Sequence, residues 1–216
     1  MIKVVSNLEL FGNRLICRDI HGKENEVTHL QGTLDGACAI YSLMMNLLIL
    51  RCIGHKDTRI YVEHKDRATK NLFKILTENE GMHRNGRSFN WLQRRIRDYF
   101  GTIVSCDRKE TIDETAIEQI VNVIDDDLPV IISVVGRNWA HAMLAVGYES
   151  DEHDENEPIK KIFCLDPSGD NPKYSFWNAV IDVTPNTKAT KYKYQYSNAF
   201  STLAVSLDDI LIIDNI

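Results

Sequence analysis

The spacing of apolar residues along the chain changes near Phe100. Before that point, apolar residues recur every three or four positions, which is the period of an amphipathic helix. From Leu128 onward they form short runs rich in β-branched residues, or they alternate with polar residues, and both patterns favour strands. The sequence therefore predicts helices in the first part of the chain and strands in the second.

Four helices are predicted from this pattern. The first begins at Cys38 and has Gly54 as its stop, because glycine commonly follows the last turn of a helix. Ser88 is a suitable N-cap for the third, since its hydroxyl can accept a hydrogen bond from the first turn. The predicted helices are 38–53, 66–80, 89–100 and 112–124.

Strands are predicted at both ends of the chain. A hairpin is expected over 8–17, where Gly12 and Asn13 supply the turn. The acidic segment 150–158, which contains Asn and Pro, is expected to be an exposed loop between two antiparallel strands. The strands predicted in the second part are 129–135, 142–148, 161–165, 191–196, 199–205 and 210–213.

Helices followed by strands correspond to an α+β fold with a mostly antiparallel sheet. A chain of 216 residues that has no repeat or linker is expected to form one domain. Within the single domain 1–216 we expect an N-terminal hairpin or extension over 1–30, a helical lobe over 31–127 and a β-sheet lobe over 128–216.

The composition argues against several classes of partner. Lys and Arg number 25 against 31 Asp and Glu, so the net charge is −6, and no basic stripe with interleaved aromatic residues predicts a nucleic-acid partner. The most apolar run, 37–53, contains polar residues and is shorter than the roughly 20 residues of a membrane span, so we expect no membrane partner. The N-terminus lacks a secretory signal pattern, which predicts a cytoplasmic protein as synthesised. Export as an effector and the oligomeric state stay open.

The cysteine and histidine spacings favour reduced thiols. The five cysteines are odd in number and include no Cys-x-x-Cys pair, which argues against a disulfide framework or a zinc knuckle. The histidines show neither His-x-x-x-His nor His-Glu-x-x-His spacing. We therefore expect no metal ion and no cofactor.

One cysteine lies where a segment rich in small residues, 31–37, becomes an apolar helix. At Cys38 the N–H groups of the first helical turn point toward the sulfur, and the helix macrodipole favours a negative charge there. Both effects stabilise a thiolate and lower the pKa of the thiol. Cys38 is therefore predicted to be a nucleophile.

Two downstream residues can complete a triad with this cysteine. If the loop after the second predicted strand centres a hairpin that pairs Tyr148 with Ile159, the same register places His141 directly opposite Asp166. The Asp166 carboxylate then accepts the Nδ1 proton of His141, and Nε2 faces the thiol. The triad order along the chain is Cys, His, Asp.

These residue types predict an enzyme that transfers acyl groups through a cysteine nucleophile. His141 activates the thiol of Cys38 and later protonates the leaving amine. The backbone N–H of Cys38 and the side-chain amide of Gln31 are candidate donors to the oxyanion. Because the cysteine lies on the predicted helical lobe and the histidine on the sheet lobe, the active site is expected in the cleft between them.

At these residues the chain resembles papain-like cysteine peptidases, which have a Gln shortly before the Cys of the central helix, then a His, then Asn or Asp. The apolar strand after His141, which ends in Gly147 and Tyr148, and the later pair Asp166-Pro167 resemble the bacterial double-glycine, or bacteriocin-processing, branch. Gln31 lies seven positions before the Cys, one more than is usual in the family.

The resemblance implies a papain-like fold, in which a central nucleophile helix in a helical lobe packs against the sheet lobe. It also implies a hydrolase that cleaves peptide or isopeptide bonds in a peptide or protein substrate. The roles that it implies are nucleophile for Cys38, base for His141, orienting residue for Asp166 and oxyanion donor for Gln31.

Two alternatives remain open at the level of sequence. The same Cys–His–Asp chemistry serves transglutaminases, deamidases and other acyltransferases, which differ from peptidases in the acceptor of the acyl group. A papain-like module without catalytic activity could instead bind peptides. Selective labelling of Cys38 by an electrophile distinguishes this last alternative from an enzyme.

Overall fold

The computed structural model describes residues 1–32, 36–59, 62–64, 66–78, 86–110, 114–151, 158–184 and 191–216. Its strands, in chain order, are β1 (Ile2–Val4), β2 (Glu9–Phe11), β3 (Arg14–Arg18), β4 (Glu24–Glu26), β5 (Val104–Glu110), β6 (Val130–Gly136), β7 (Trp139–Ser150), β8 (Ile159–Leu165), β9 (Ala179–Asp182), β10 (Tyr194–Asn198) and β11 (Thr202–Asn215). Its helices are α1 (Cys38–Ile49), α2 (Arg67–Glu78), α3 (Phe89–Phe100) and α4 (Glu114–Asp125), with a short 3₁₀ helix at His55–Thr58.

Six strands form a closed antiparallel barrel. The hydrogen-bonded ring runs β6, β11, β10, β9, β8 and β7, and β7 pairs again with β6. Two further strands add to this ring from outside, β1 on β7 and β5 on β11. The expected papain-like arrangement, a helical lobe packed against a mostly antiparallel sheet lobe, is therefore wrong: the strands close on themselves, and four helices accompany the barrel.

The two longest strands explain why the sheet closes. β7 pairs with β6 over its first half and with β8 over its second half, and β11 changes partners along its length in the same way. Such a stagger is what closure of a barrel requires. Bulges at Val146 in β7 and at Asp208–Asp209 in β11 add local bend and twist. The two strands predicted at 199–205 and 210–213 are thus one bulged strand.

The helices confirm the predicted period in the first part of the chain. The observed α1, α2 and α3 lie within their predicted segments, and α4 extends one residue past its own, to Asp125; the predicted ends at 79–80 and 112–113 lie outside the described residues. Ser88 caps α3 as expected, since its Oγ accepts a hydrogen bond from the N–H of Trp91 at 3.3 Å. Among the described residues, no helix combines the length and apolar character that crossing a bilayer would demand.

The α1 helix is the most buried of the four, since ten of its twelve residues are buried. It packs against β7 and β6, and the Asn46 side chain at its centre donates a hydrogen bond to the carbonyl of Pro129 at 3.0 Å. Each leucine buried in this interface contributes roughly 1.5–3 kcal/mol. The packing holds the first residue of α1, Cys38, beside the start of β7.

The N-terminal segment contributes to both sheets. The predicted hairpin is confirmed, with Phe11 opposite Arg14 and Gly12 at φ +62° in the turn, and it extends to a three-stranded sheet through β4. β1, which the pattern did not predict, pairs with β7 so closely that a Cβ on Gly147 would lie 2.4 Å from the carbonyl oxygen of Lys3. The barrel sheet is thus extended by β1 from the N-terminal segment and by β5 from the predicted helical lobe.

Candidate active site

Cys38 is the first residue of α1 and is partly exposed. The N-cap residue, Ala37, makes no side-chain hydrogen bond to the first turn, and the N–H of Ala39 in that turn acts on the sulfur. The Cys38 Sγ accepts hydrogen bonds from the N–H of Ala142 on β7, at 3.4 Å, and from the N–H of Ala39. The local surroundings of the thiol are those of an anion site, as the sequence predicts.

His141 connects the helix to the barrel. It lies on β7, where only 11% of its side chain is exposed, and it lines the same cleft as Cys38. Its Nε2 lies 2.7 Å from Asp166 Oδ1. Because Nε2 is bonded to the acid, Nδ1 is the nitrogen available to the sulfur, and the predicted assignment of the two ring nitrogens is therefore reversed.

The strand register explains how His141 reaches Asp166. In β7 and β8, Leu144 is opposite Leu165, and continuing this register puts Asp166 opposite Met143. The predicted direct pairing of His141 with Asp166 is wrong, because Ile159 is opposite Ser150 rather than Tyr148, and the irregularities at Lys160 and Val146 offset each other. A shift of two residues keeps both side chains on one face, and diagonal neighbours are within reach of long side chains.

The three groups shift one another's pKa. Burial raises the pKa of the Cys38 thiol, but the hydrogen bond and charge of His141 outweigh it and lower that pKa below its ordinary value of 9.0. Burial lowers the pKa of His141, but Asp166 and Cys38 outweigh it and raise that pKa to about 9. Burial also opposes ionisation of Asp166, whose pKa is nevertheless lowered, chiefly by His141. These directions favour a thiolate–imidazolium pair near neutral pH.

The other four cysteines differ from Cys38 in this respect. Burial raises the pKa of Cys17 to about 11 and those of Cys52 and Cys106 to about 12, and it raises that of Cys164 as well. Thiols with raised pKa values are poor nucleophiles at neutral pH. Of the five free thiols, Cys38 is the one whose pKa is lowered.

Gln31 lies close to the acid end of the site. Its backbone N–H donates a hydrogen bond to the carbonyl of Pro167 at 2.8 Å, so the strand-like segment before the nucleophile runs beside the residue that follows Asp166. Residues 33–35, between Gln31 and Cys38 in the sequence, lie outside the described residues. The role of Gln31 as an oxyanion donor stays a prediction.

The sequence reasoning missed the residues that surround Asp166. Tyr196 and Asn198 donate hydrogen bonds to its Oδ2, and the N–H of Ser168 donates to its Oδ1 at 2.7 Å. Asn178 bonds to both the N–H and the carbonyl of Asp166, at 2.6 and 2.8 Å. Alternation in β10 indicates that Tyr196 is buried, but its contact with Asp166 arises from closure of the barrel, which no local signal predicted.

A cleft of about 290 Å³ opens beside the thiol and the imidazole. Its walls near Cys38 are formed by small side chains, including Ala39, Ser133 and Ala140. Farther along, the cleft is bordered by the bulge residues Asp208 and Asp209. In the described part of the chain, no group of three His, Cys, Asp or Glu side chains is arranged to hold a metal ion.

No known protein family and no curated protein matched the chain in the comparisons.

Proposed function

We propose that the protein is a cysteine peptidase that hydrolyses peptide or isopeptide bonds. The observation that carries the proposal is that Cys38 and His141 line the same open cleft and shift each other's pKa, while His141 Nε2 lies 2.7 Å from Asp166 Oδ1. A nucleophile, a base and an orienting carboxylate in this sequence of contacts are the requirements of triad chemistry. The order of Gln, Cys, His and Asp along the chain also resembles that of papain-like peptidases, which favours this reaction.

The reaction begins with attack by the Cys38 thiolate on the carbonyl carbon of the scissile bond. The carbonyl π electrons move to oxygen, and the resulting oxyanion is stabilised by the backbone N–H of Cys38 and the amide of Gln31. One such donor is typically worth roughly 3 kcal/mol. The intermediate collapses as the C–N bond breaks, His141 Nδ1 gives its proton to the leaving amine, and a thioester on Cys38 remains.

Water completes the cycle. His141, now neutral, accepts a proton from water at Nδ1, and the hydroxide attacks the thioester carbonyl. The C–S bond breaks, the acid product leaves, and the thiolate–imidazolium pair is restored. Asp166 keeps its negative charge throughout and stabilises the imidazolium through Nε2.

The cleft supports a peptide or protein as substrate. Small side chains at Ala39, Ser133 and Ala140 leave room for an extended main chain to approach the sulfur. The hydrogen-bonding groups of that main chain would face β7, whose residues around His141 form the adjacent wall. A peptide or protein substrate is thus the partner that the proposal requires.

The test uses selective alkylation and turnover on the same protein. At pH 7, iodoacetamide should modify Cys38 far faster than the four other cysteines, as read by peptide mass spectrometry. A library of fluorogenic peptides should be cleaved by the wild type and by Cys52→Ala, which removes a partly exposed thiol elsewhere, but not by Cys38→Ala. Full turnover by Cys38→Ala would contradict the proposal.

The acceptor of the acyl group separates hydrolysis from its alternatives. Peptides that contain glutamine are offered with a primary amine, and the products are weighed. A gain of the amine indicates transglutamination, a gain of about one dalton with intact peptide bonds indicates deamidation, and two shorter peptides indicate hydrolysis. Absence of both turnover and selective Cys38 labelling would point to a binding module.

A further inference from the structure

We propose that Tyr196 and Asn198 are positioning residues that hold the Asp166 carboxylate toward His141 and thereby set the acid limit of Cys38 reactivity. The proposal rests on the triad chemistry of the proposed function, but it concerns residues that touch neither the sulfur nor the substrate. If the proposal is correct, residues on β10 control how the reactivity of the Cys38 thiol depends on pH.

The buried Asp166 carboxylate accepts a hydrogen bond at each of its acceptor positions. Its side chain is fully buried, and an ionised carboxylate offers about four acceptor positions. Oδ1 accepts from His141 Nε2 and from the N–H of Ser168, each at 2.7 Å. Oδ2 accepts from the Tyr196 hydroxyl and, at 3.1 Å, from Asn198 Nδ2. A buried charge needs such partners, because it has no water to replace them.

The Tyr196 hydroxyl stays protonated and can therefore act as a hydrogen-bond donor. The residue is only 3% exposed, and both burial and the adjacent Asp166 carboxylate raise the pKa of its hydroxyl. The hydroxyl therefore keeps its proton and donates it to Oδ2 across the accessible pH range. Hydrogen bonds to charged groups are roughly twice as strong as neutral ones.

Asn198 connects the acid to the turn between β10 and β11. Its Nδ2 donates to Asp166 Oδ2, while its Oδ1 accepts from the N–H groups of Phe200 and Ser201, each at 2.9 Å. The amide orientation is fixed by these contacts, because only the NH₂ group can donate to the carboxylate. Asn198 and Tyr196 alternate along β10 and so share one face of the strand.

The titratable groups that face Asp166 come from three strands. His141 approaches from β7, Tyr196 from β10, and Cys164 from the end of β8, where the carboxylate and burial raise the pKa of its thiol. From α1, Cys38 interacts with the acid only through His141. His141 is the one cation among these groups, so the donors on Oδ2 supply the remaining support for the charge.

Removal of a hydrogen-bond donor from Asp166 Oδ2 should shift the pKa of Asp166 in one direction. The ionised carboxylate becomes less favourable and the pKa of Asp166 rises. Once Asp166 is protonated, His141 loses its anionic partner, and the imidazolium that keeps Cys38 ionised is no longer held. The acid limb of Cys38 alkylation therefore moves to higher pH. A residue that only stabilises the fold would lower the stability without moving this limb.

Two near-isosteric variants test the proposal. Tyr196→Phe removes one donor and keeps the ring. Asn198→Asp keeps the acceptor that caps the turn but places a second carboxylate against Oδ2, so a merely structural Asn198 would tolerate it. The matched control is Tyr148→Phe, since Tyr148 is also buried and donates to another aspartate, Asp125, at 2.8 Å on a different part of the barrel.

The experiment follows the rate of Cys38 alkylation by iodoacetamide against pH, with thermal unfolding measured for each variant. The midpoint of the acid limb should rise by about one pH unit in Tyr196→Phe, the size expected for one hydrogen bond to a charge. It should rise further in Asn198→Asp and stay in place in Tyr148→Phe. An unmoved limb in either folded variant overturns the proposal. Because alkylation needs no substrate, failure to find peptidase turnover is a separate result.

Discussion

Cys38 and Asp166 lie on either side of His141, and the protein holds them in different ways. The sulfur is held mainly by backbone, through N–H groups at the start of α1 and on β7. The carboxylate is held mainly by side chains from β7 and β10, together with the backbone N–H of Ser168. Backbone donors are fixed once a helix forms, whereas side-chain donors must be brought together by the whole fold.

This difference teaches where each kind of substitution should act. At the Cys38 end few side chains can be changed without removing the reacting atoms themselves. At the Asp166 end several residues share one task, so single changes should weaken the chemistry in graded steps. The predictions below test that contrast.

The largest effect is expected where the two ends meet. His141→Ala removes both the base of the proposed mechanism and the positive charge that lowers the pKa of Cys38. Peptide turnover should fall by roughly a thousandfold or more, and the pH midpoint of Cys38 alkylation should rise toward 9. Steady-state kinetics and alkylation check this, with exposed His21→Ala as the control. Turnover near the wild-type rate would remove His141 from the mechanism.

The next effect concerns the oxyanion. With Gln31 as the oxyanion donor of the proposed function, Gln31→Ala should reduce kcat by roughly a hundredfold, because that donor is lost. Cys38 alkylation should remain nearly unchanged, since the thiolate does not depend on that donor. The exposed glutamine of β10, in Gln195→Ala, is the control. Equal loss of alkylation and turnover would show that Gln31 acts on the thiol or on the fold instead.

A milder loss is expected at the acid. In Asp166→Asn, the amide oxygen can still accept from His141, but the negative charge that raises the pKa of His141 is gone. Turnover should fall by roughly tenfold to a hundredfold, less than in His141→Ala. The control is Asp182→Asn on β9. A complete loss of activity with retained folding would mean that charge rather than orientation dominates.

The smallest expected effect is the decline of wild-type kcat/KM at alkaline pH. Because the pKa of His141 is raised to about 9, the imidazolium persists through neutral pH and can protonate the leaving amine. The value of kcat/KM should therefore hold steady above pH 7 and decline as the pH passes about 9. A pH profile of peptide cleavage measures this. A decline centred near 6.5, the ordinary value for histidine, would contradict the assigned pair.

The same contrast explains what the sequence could predict. The position of Cys38 at a helix start depends on neighbours within a few residues, so periodicity and small-residue composition were sufficient to predict it. Predicting the contact of His141 with Asp166 required a register. The assumed loop position put that register two residues away from the observed one, which still keeps both side chains on one face.

Closure of the barrel was beyond local patterns. β5 carries mostly polar residues, and β9 is only four residues long, so neither gives a strong strand signal. The polar pair Asp208–Asp209 resembles an interruption between two strands, although β11 continues through it as a bulge. For the same reason, nothing near Tyr196 in the sequence indicates that its hydroxyl meets a carboxylate 30 residues away.

The cluster of hydrogen-bond donors around Asp166 also determines the stage of folding at which the Cys38 thiol becomes reactive. The acid pocket exists only after strands from distant parts of the chain have joined into a ring. A nascent or half-assembled chain thus carries, at Cys38, a thiol of the ordinary pKa of 9.0, which reacts sluggishly at neutral pH. The Cys38 thiol therefore becomes reactive only after the barrel has closed.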